Sequence, residues 1–164
     1  AGLFVAGVER RTCERAAREV LSLSQLNRRL PEKRLRRDMT RAFNVLAAVS
    51  GYGAPAAVAV VRRHVIAIET GEGFESAMSR VAALRQWGAT ARSPRRGSLA
   101  VARHAVESLG LEAIVAQAAR IGLAGLVLPA DIAADDLARA GRIGDEHGLA
   151  VVEARRGWPA GAAP

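Results

Sequence analysis

The sequence predicts an α/β fold with a mixed, mainly parallel sheet, one hairpin, and helices packed on the sheet. Three observations predict it. In the last third, short apolar runs alternate with segments of helical periodicity, the pattern of strand–helix–strand crossovers. Earlier, two β-branched runs, AVAVV and HVIAI, are parted only by Arg62 and Arg63, so a tight hairpin is the simplest connection. Finally, hydrophobic residues make up 50% of the chain but aromatics only 4%, so the core must be built from Ala, Val, Leu and Ile.

In chain order, Gly2 to Val8 reads as a buried strand and Arg10 to Leu23 as a helix, with Val20, Leu21 and Leu23 on its apolar side. Residues 1–27 are expected to be a strand–helix lead-in, the remnant of an upstream domain, since a chain opening on Ala looks like a partial product. Pro31 suits the first position of a helix with Glu32 in its first turn. That helix should run to about Val49, with Leu35, Met39, Phe43, Leu46 and Ala47 buried and Arg34, Arg37, Asp38 and Arg41 on other faces. Ser50 to Pro55 breaks it. After the hairpin, Gly73 to Trp87 is helical, with Phe74, Met78, Val81, Ala82 and Leu84 on one side. Ala89 to Gly97 is a basic loop, and Ser98 to Ala102 a short strand. Leu109 to Ile121 reads as a helix stopped by Gly122, and Leu123 to Pro129 as a buried strand. Asp131 is expected to open a helix that His147 and Gly148 close. Leu149 to Glu153 is a last strand, and residues 155–164 read as a disordered tail.

Composition narrows the function classes. The single cysteine, Cys13, allows no intrachain disulfide. No apolar run is long enough for a transmembrane helix. The net charge is +8, and Lys33 is the only lysine, so the basic excess is almost all arginine. Guanidinium grips phosphate in a bidentate way. An arginine-rich composition with little lysine also follows from GC-rich coding, so net charge alone does not name a partner. The basic stretch from Arg28 to Arg41 could meet anionic lipid headgroups or simply be solvated. No aromatics are interleaved with the charges to stack bases, which counts against nucleic acid. His64, His104 and His147 lack the spacing of metal ligands, and no P-loop, GxGxxG or nucleophile elbow is present.

Two groups of residues could carry chemistry. Glu69 and Glu72 flank a glycine turn between a strand end and a helix start, where α/β folds place ligands. They could bind a metal or substrate, or form a solvated edge favoured by the helix dipole. Arg92, Arg95, Arg96 and Arg103 are the densest basic group near glycine and proline, and could clamp phosphate or be solvated.

The order Arg28-Arg29, Pro31, Arg37-Asp38, then AVAVVRRHVIAIETGEG, then Pro94 and IGLAGLVLPADI before LAVV, resembles a known family. It is similar to the carboxy-terminal domain of the bacterial UDP-2,3-diacylglucosamine pyrophosphatases of lipid A synthesis, the kind unrelated to calcineurin-like phosphoesterases. The similarity covers roughly residues 28–153, so 28–154 is expected to be the pyrophosphatase-like domain. The resemblance implies hydrolysis of a lipid-linked nucleotide sugar to UMP and a lipid monophosphate. It further implies Mg²⁺ or Mn²⁺ held at Glu69 and Glu72, phosphate held by Arg92, Arg95, Arg96 and Arg103, and an amino-terminal domain as partner. The expected location is the cytoplasm, at the inner membrane surface, with oligomerisation permitted. The sequence departs from the family at the substrate loop. Pro94, Gly97 and Arg103 match, but Ser98 and Ala105 stand where carboxylates are expected, and Gly53 to Ala56 replace the family's Asp and Gly-Gln before the first strand of the hairpin. The alternative is a non-catalytic relative that binds an anionic ligand or a partner domain.

Overall fold

The computed structural model of the chain describes residues 20–50, 56–86 and 95–157. Leu23–Ala154 form one compact unit. Ala1–Ser22 with Arg155–Pro164 form another, whose described residues are Val20–Ser22 and Arg155–Gly157. The elements run β1 (Val20–Gln25), α1 (Lys33–Val49), β2 (Ala57–Val61), β3 (His64–Ile68), α2 (Phe74–Gln86), β4 (Ser98–Val101), α3 (Arg103–Leu109), α4 (Leu111–Arg120), β5 (Gly125–Pro129), α5 (Ala134–His147) and β6 (Ala150–Gly157). The strands form one sheet in the order β1-β6-β5-β4-β2-β3. β5 is parallel to both β4 and β6, while β2 is antiparallel to both β3 and β4. The expected α/β architecture, a mixed sheet with a hairpin and packed helices, is the one observed.

Strand periodicity sorts the core onto two faces. Ala57, Ala59, Leu99, Val101, Leu126, Leu128 and Val151 face a core completed by Phe74, Met78 and Val81 of α2, Val106 of α3, Ile114 and Val115 of α4, and Leu137 of α5. The alternate residues face α1: a side chain at Gly125 would collide with Met39 and crowd Leu35. With helices on both faces, the central strands are apolar throughout, and Val58, Val60, Leu99, Leu126 and Leu128 are fully buried. Each large aliphatic side chain so buried contributes about 2 kcal/mol.

Several boundaries differ from the sequence-based expectation. Val20 to Leu23 are strand rather than the end of a helix; Leu21 and Leu23 alternate with Ser22 and Ser24, which is strand periodicity. Pro31 lies outside α1, whose N-cap is Glu32. The expected helix at 109–121 is α4, which starts only after Gly110, and the sequence did not predict α3 before that break. α5 starts at Ala134, with Asp135 and Asp136 rather than Asp131 in its first turn. Arg155–Gly157 continue β6 instead of joining a disordered tail. The strand at Gly2 to Val8, the breaker at 51–55, most of the basic loop and residues 158–164 lie outside the described residues.

Asp38 is the most informative correction. Expected off the buried stripe of α1, it is 6% exposed. Its carboxylate accepts the backbone N–H groups of Arg62 at 3.0 Å and Arg63 at 2.6 Å. Those two residues form the hairpin turn with φ of 51° and 66°. A two-residue turn left-handed at both positions matches the twist of its strands but strongly prefers Asn and Gly. Here the Asp38 carboxylate, on α1, holds two arginines in that conformation.

Candidate functional site

The sequence-predicted residues separate to opposite ends of the sheet. At the carboxyl end of β4 lie the end of β3 and the start of β2, and here Glu69 is 5% exposed. Its Oε2 accepts the Ala56 N–H at 2.8 Å, and its Oε1 accepts those of Gly71 at 2.8 Å and Gly73 at 3.0 Å. Gly71 and Gly73 have φ of 120° and 88°, which turn both amides toward the carboxylate. Burial pushes the Glu69 pKa up, but the three amides and the nearby His104 pull it further down, so it lies below its usual value of 4.5. Glu72 is exposed and pairs with Arg80. Arg103, the first residue of α3, pairs with Glu107 at 2.7 Å.

A Mg²⁺ or Mn²⁺ ion held by Glu69 and Glu72 does not fit this arrangement. One carboxylate already accepts three backbone N–H groups, and the other pairs with a guanidinium. Among the described residues, no three His, Cys, Asp or Glu side chains gather as a metal-ligand group.

At the amino ends of β4, β5 and β6 lies a cleft of about 830 Å³. Arg29 and Arg34 line it from the segment leading into α1 and its first turn, and Arg37 from one turn further along. Arg62 and Arg63 line it from the hairpin, and Arg95 and Arg96 from the approach to β4. Gly97, Ala124 and Ala150 also line it. Gly97 has φ of 82°, and a Cβ there would stand 2.5 Å from Val61 Cγ2 and 2.6 Å from the Val60 carbonyl. The chain can therefore pass this close to β2 only as glycine. Arg95 donates to the His147 carbonyl, and the Arg96 amide donates to that of Gly122 at 3.1 Å.

The expected clamp of Arg92, Arg95, Arg96 and Arg103 is thus not one group. Arg96 precedes β4 and Arg103 follows it, which separates them by roughly 20 Å of extended chain. Arg92 lies outside the described residues. The two positions expected to carry carboxylates are interior: Ser98 is 0% and Ala105 1% exposed. The resemblance joins these arginines across the expected strand at Ser98 to Ala102, and β4, at Ser98–Val101, holds its two flanks at opposite ends. Asp38, Arg62 and Arg63 were also missed as a unit. The available signal was an acidic residue beside Met39 in the buried stripe of α1.

A family model described as the LpxI C-terminal domain matches residues 22–152. The chain belongs to the LpxI C-terminal domain family. The match begins in β1 and ends in β6, so it takes in nearly all of the compact unit. Membership places this LpxI-type domain among those related to lipid A synthesis. No curated protein matches the chain. Among the described residues of the LpxI-type domain, no helix is long and apolar enough to cross a membrane.

Proposed function

We propose that this LpxI-type domain is a non-hydrolytic relative of the UDP-2,3-diacylglucosamine pyrophosphatases. It keeps their fold and engages an anionic ligand or partner domain in lipid A synthesis without cleaving a pyrophosphate. One observation carries the reading: Glu69, the better placed of the two candidate metal ligands, accepts three backbone N–H groups with its two oxygens. A divalent cation there would compete with hydrogen bonds that fix the turn into α2. The buried positions of Ser98 and Ala105 support the same reading, because neither could present a carboxylate to a substrate. The ligand belongs to the class of the lipid-linked nucleotide sugar, met at the cytoplasmic face of the inner membrane, with an amino-terminal domain as partner.

The test is UMP release from UDP-2,3-diacylglucosamine with Mg²⁺ or Mn²⁺, for the chain alone and mixed with an amino-terminal domain of the family. No release is expected in either case. Release of UMP and the lipid monophosphate that is lost in Glu69→Gln would overturn the reading and restore hydrolysis.

A further inference from the structure

We propose that the arginine cleft at the amino ends of β4, β5 and β6 binds clustered phosphate: a pyrophosphate group or closely spaced phosphomonoesters. This goes beyond the reading above and holds whether or not the chain hydrolyses anything, since it concerns the end of the sheet opposite Glu69. Among the described residues, seven arginines line the cleft, and the acidic residues lining it are Glu32 and Asp38. Asp38 is committed to the hairpin amides. Among the described residues, Arg29, Arg34, Arg37, Arg62 and Arg63 form no ion pair. Like charges gathered in a concave site repel one another, and a multivalent anion relieves that repulsion while accepting forked hydrogen bonds.

The shape suits such an anion. About 830 Å³ is the size of a small-molecule site. Gly97, Ala124 and Ala150 add almost no side chain to its lining, which lets a ligand approach the strand ends. Two walls are fixed in place. Asp38 sets the backbone of Arg62 and Arg63 in a conformation that arginine disfavours, and the His147 carbonyl holds Arg95. Arg29 and Arg95 converge there: their Nη1 atoms lie 3.4 and 3.7 Å from where a Gly148 Cβ would stand. The outer face of α1 adds Lys33, Arg36 and Arg41 beside Arg37 and Arg63, extending the positive field over the approach to the cleft.

The phosphate could belong to a soluble molecule or to a lipid headgroup, and two arms of one experiment separate these sources. The first titrates the full chain with inorganic pyrophosphate by calorimetry. The second measures co-sedimentation with phosphatidylcholine vesicles with and without phosphatidic acid. The informative variant is Arg62→Asn with Arg63→Gly, which removes two guanidiniums while supplying residues the turn prefers; a melting curve confirms that it folds. Arg142→Gln, on α5 and away from the cleft, is the charge control. Pyrophosphate binding that weakens about ten- to hundredfold in the double variant, and not in the control, supports a soluble source. Sedimentation that requires phosphatidic acid and falls in the double variant alone supports a lipid source. Binding to neither probe, or binding that the folded double variant retains in full, overturns the proposal.

Discussion

At the carboxyl end of the sheet, charge is matched locally. Glu69 meets three amides, Glu72 meets Arg80, and Arg103 meets Glu107. At the amino end, arginines crowd a cleft, and its buried carboxylate, Asp38, is turned to backbone amides instead of to their side chains. The difference separates two uses of charge. A carboxylate that satisfies buried amides strengthens the fold, whereas like charges held together weaken it and favour an anion that joins them. Substitutions at the first end should therefore be read in stability, and those at the second in ligand binding.

The largest effect that separates the two ends comes from putting carboxylates where the family's substrate loop led us to expect them. Ser98→Asp and Ala105→Asp each bury a charge without a partner, and each should lose about 4 kcal/mol or fail to fold in a denaturant titration. A stable Ala105→Asp protein that gains UMP release would show that the carboxyl end still holds a substrate. Next is Glu69→Ala, which strands three amides and should cost about 3 kcal/mol in the same titration. Glu69→Gln adds a pH signature. Because the folded pKa of Glu69 is lowered, its contribution is fully present above pH 4.5 and is lost as pH falls through the folded value. The glutamine variant should therefore show a flatter acid limb. Unchanged acid limbs would break the picture of Glu69 as a clamp.

Asp38→Ala should cost about 2 kcal/mol by freeing the hairpin amides, and it should also weaken pyrophosphate binding by loosening Arg62 and Arg63. It couples the two readouts, so loss of stability alone would separate the turn from the cleft. Asp38 should carry the opposite pH signature. Burial raises its pKa despite the opposing hydrogen bonds and the charges of Arg63 and His64, so its contribution declines as pH rises from 3.8 through the higher folded value. The smallest change expected is from Arg62→Asn with Arg63→Gly, a gain of about 1 kcal/mol in thermal or denaturant melts from relief of left-handed strain. A loss of stability there would mean that the arginine side chains themselves hold the hairpin.

Much of the fold was legible because its signals are local. The two β-branched runs on either side of Arg62 and Arg63 form the hairpin, and the stripe of Met39, Phe43 and Leu46 is the buried face of α1. Gly148 closes α5 in a left-handed conformation, as the sequence suggested. Elements were harder to read where two signals compete. Val20 to Gln25 follow a helix-like charged segment, and Gly110 divides a single helical periodicity into α3 and α4. The candidate site was legible as residue types and not as a place. Glu69, Arg95 and Arg96 drew notice from their chemistry, but β4 puts the arginines and the carboxylate at opposite ends of the sheet.

The sequence by itself determined the α/β class, the hairpin and the arginine excess, because periodicity, turn spacing and composition act over a few residues. Only the tertiary structure decided what the carboxylates do. Whether Glu69 and Asp38 face a cation or a set of amides depends on the strand ends and the turn that surround them, and residues far apart in the chain build those surroundings. Asp38 reaches Arg62 and Arg63 from more than twenty positions away. The pairing of distant strands in one sheet likewise gathers Arg29, Arg63 and Arg96 around one cleft.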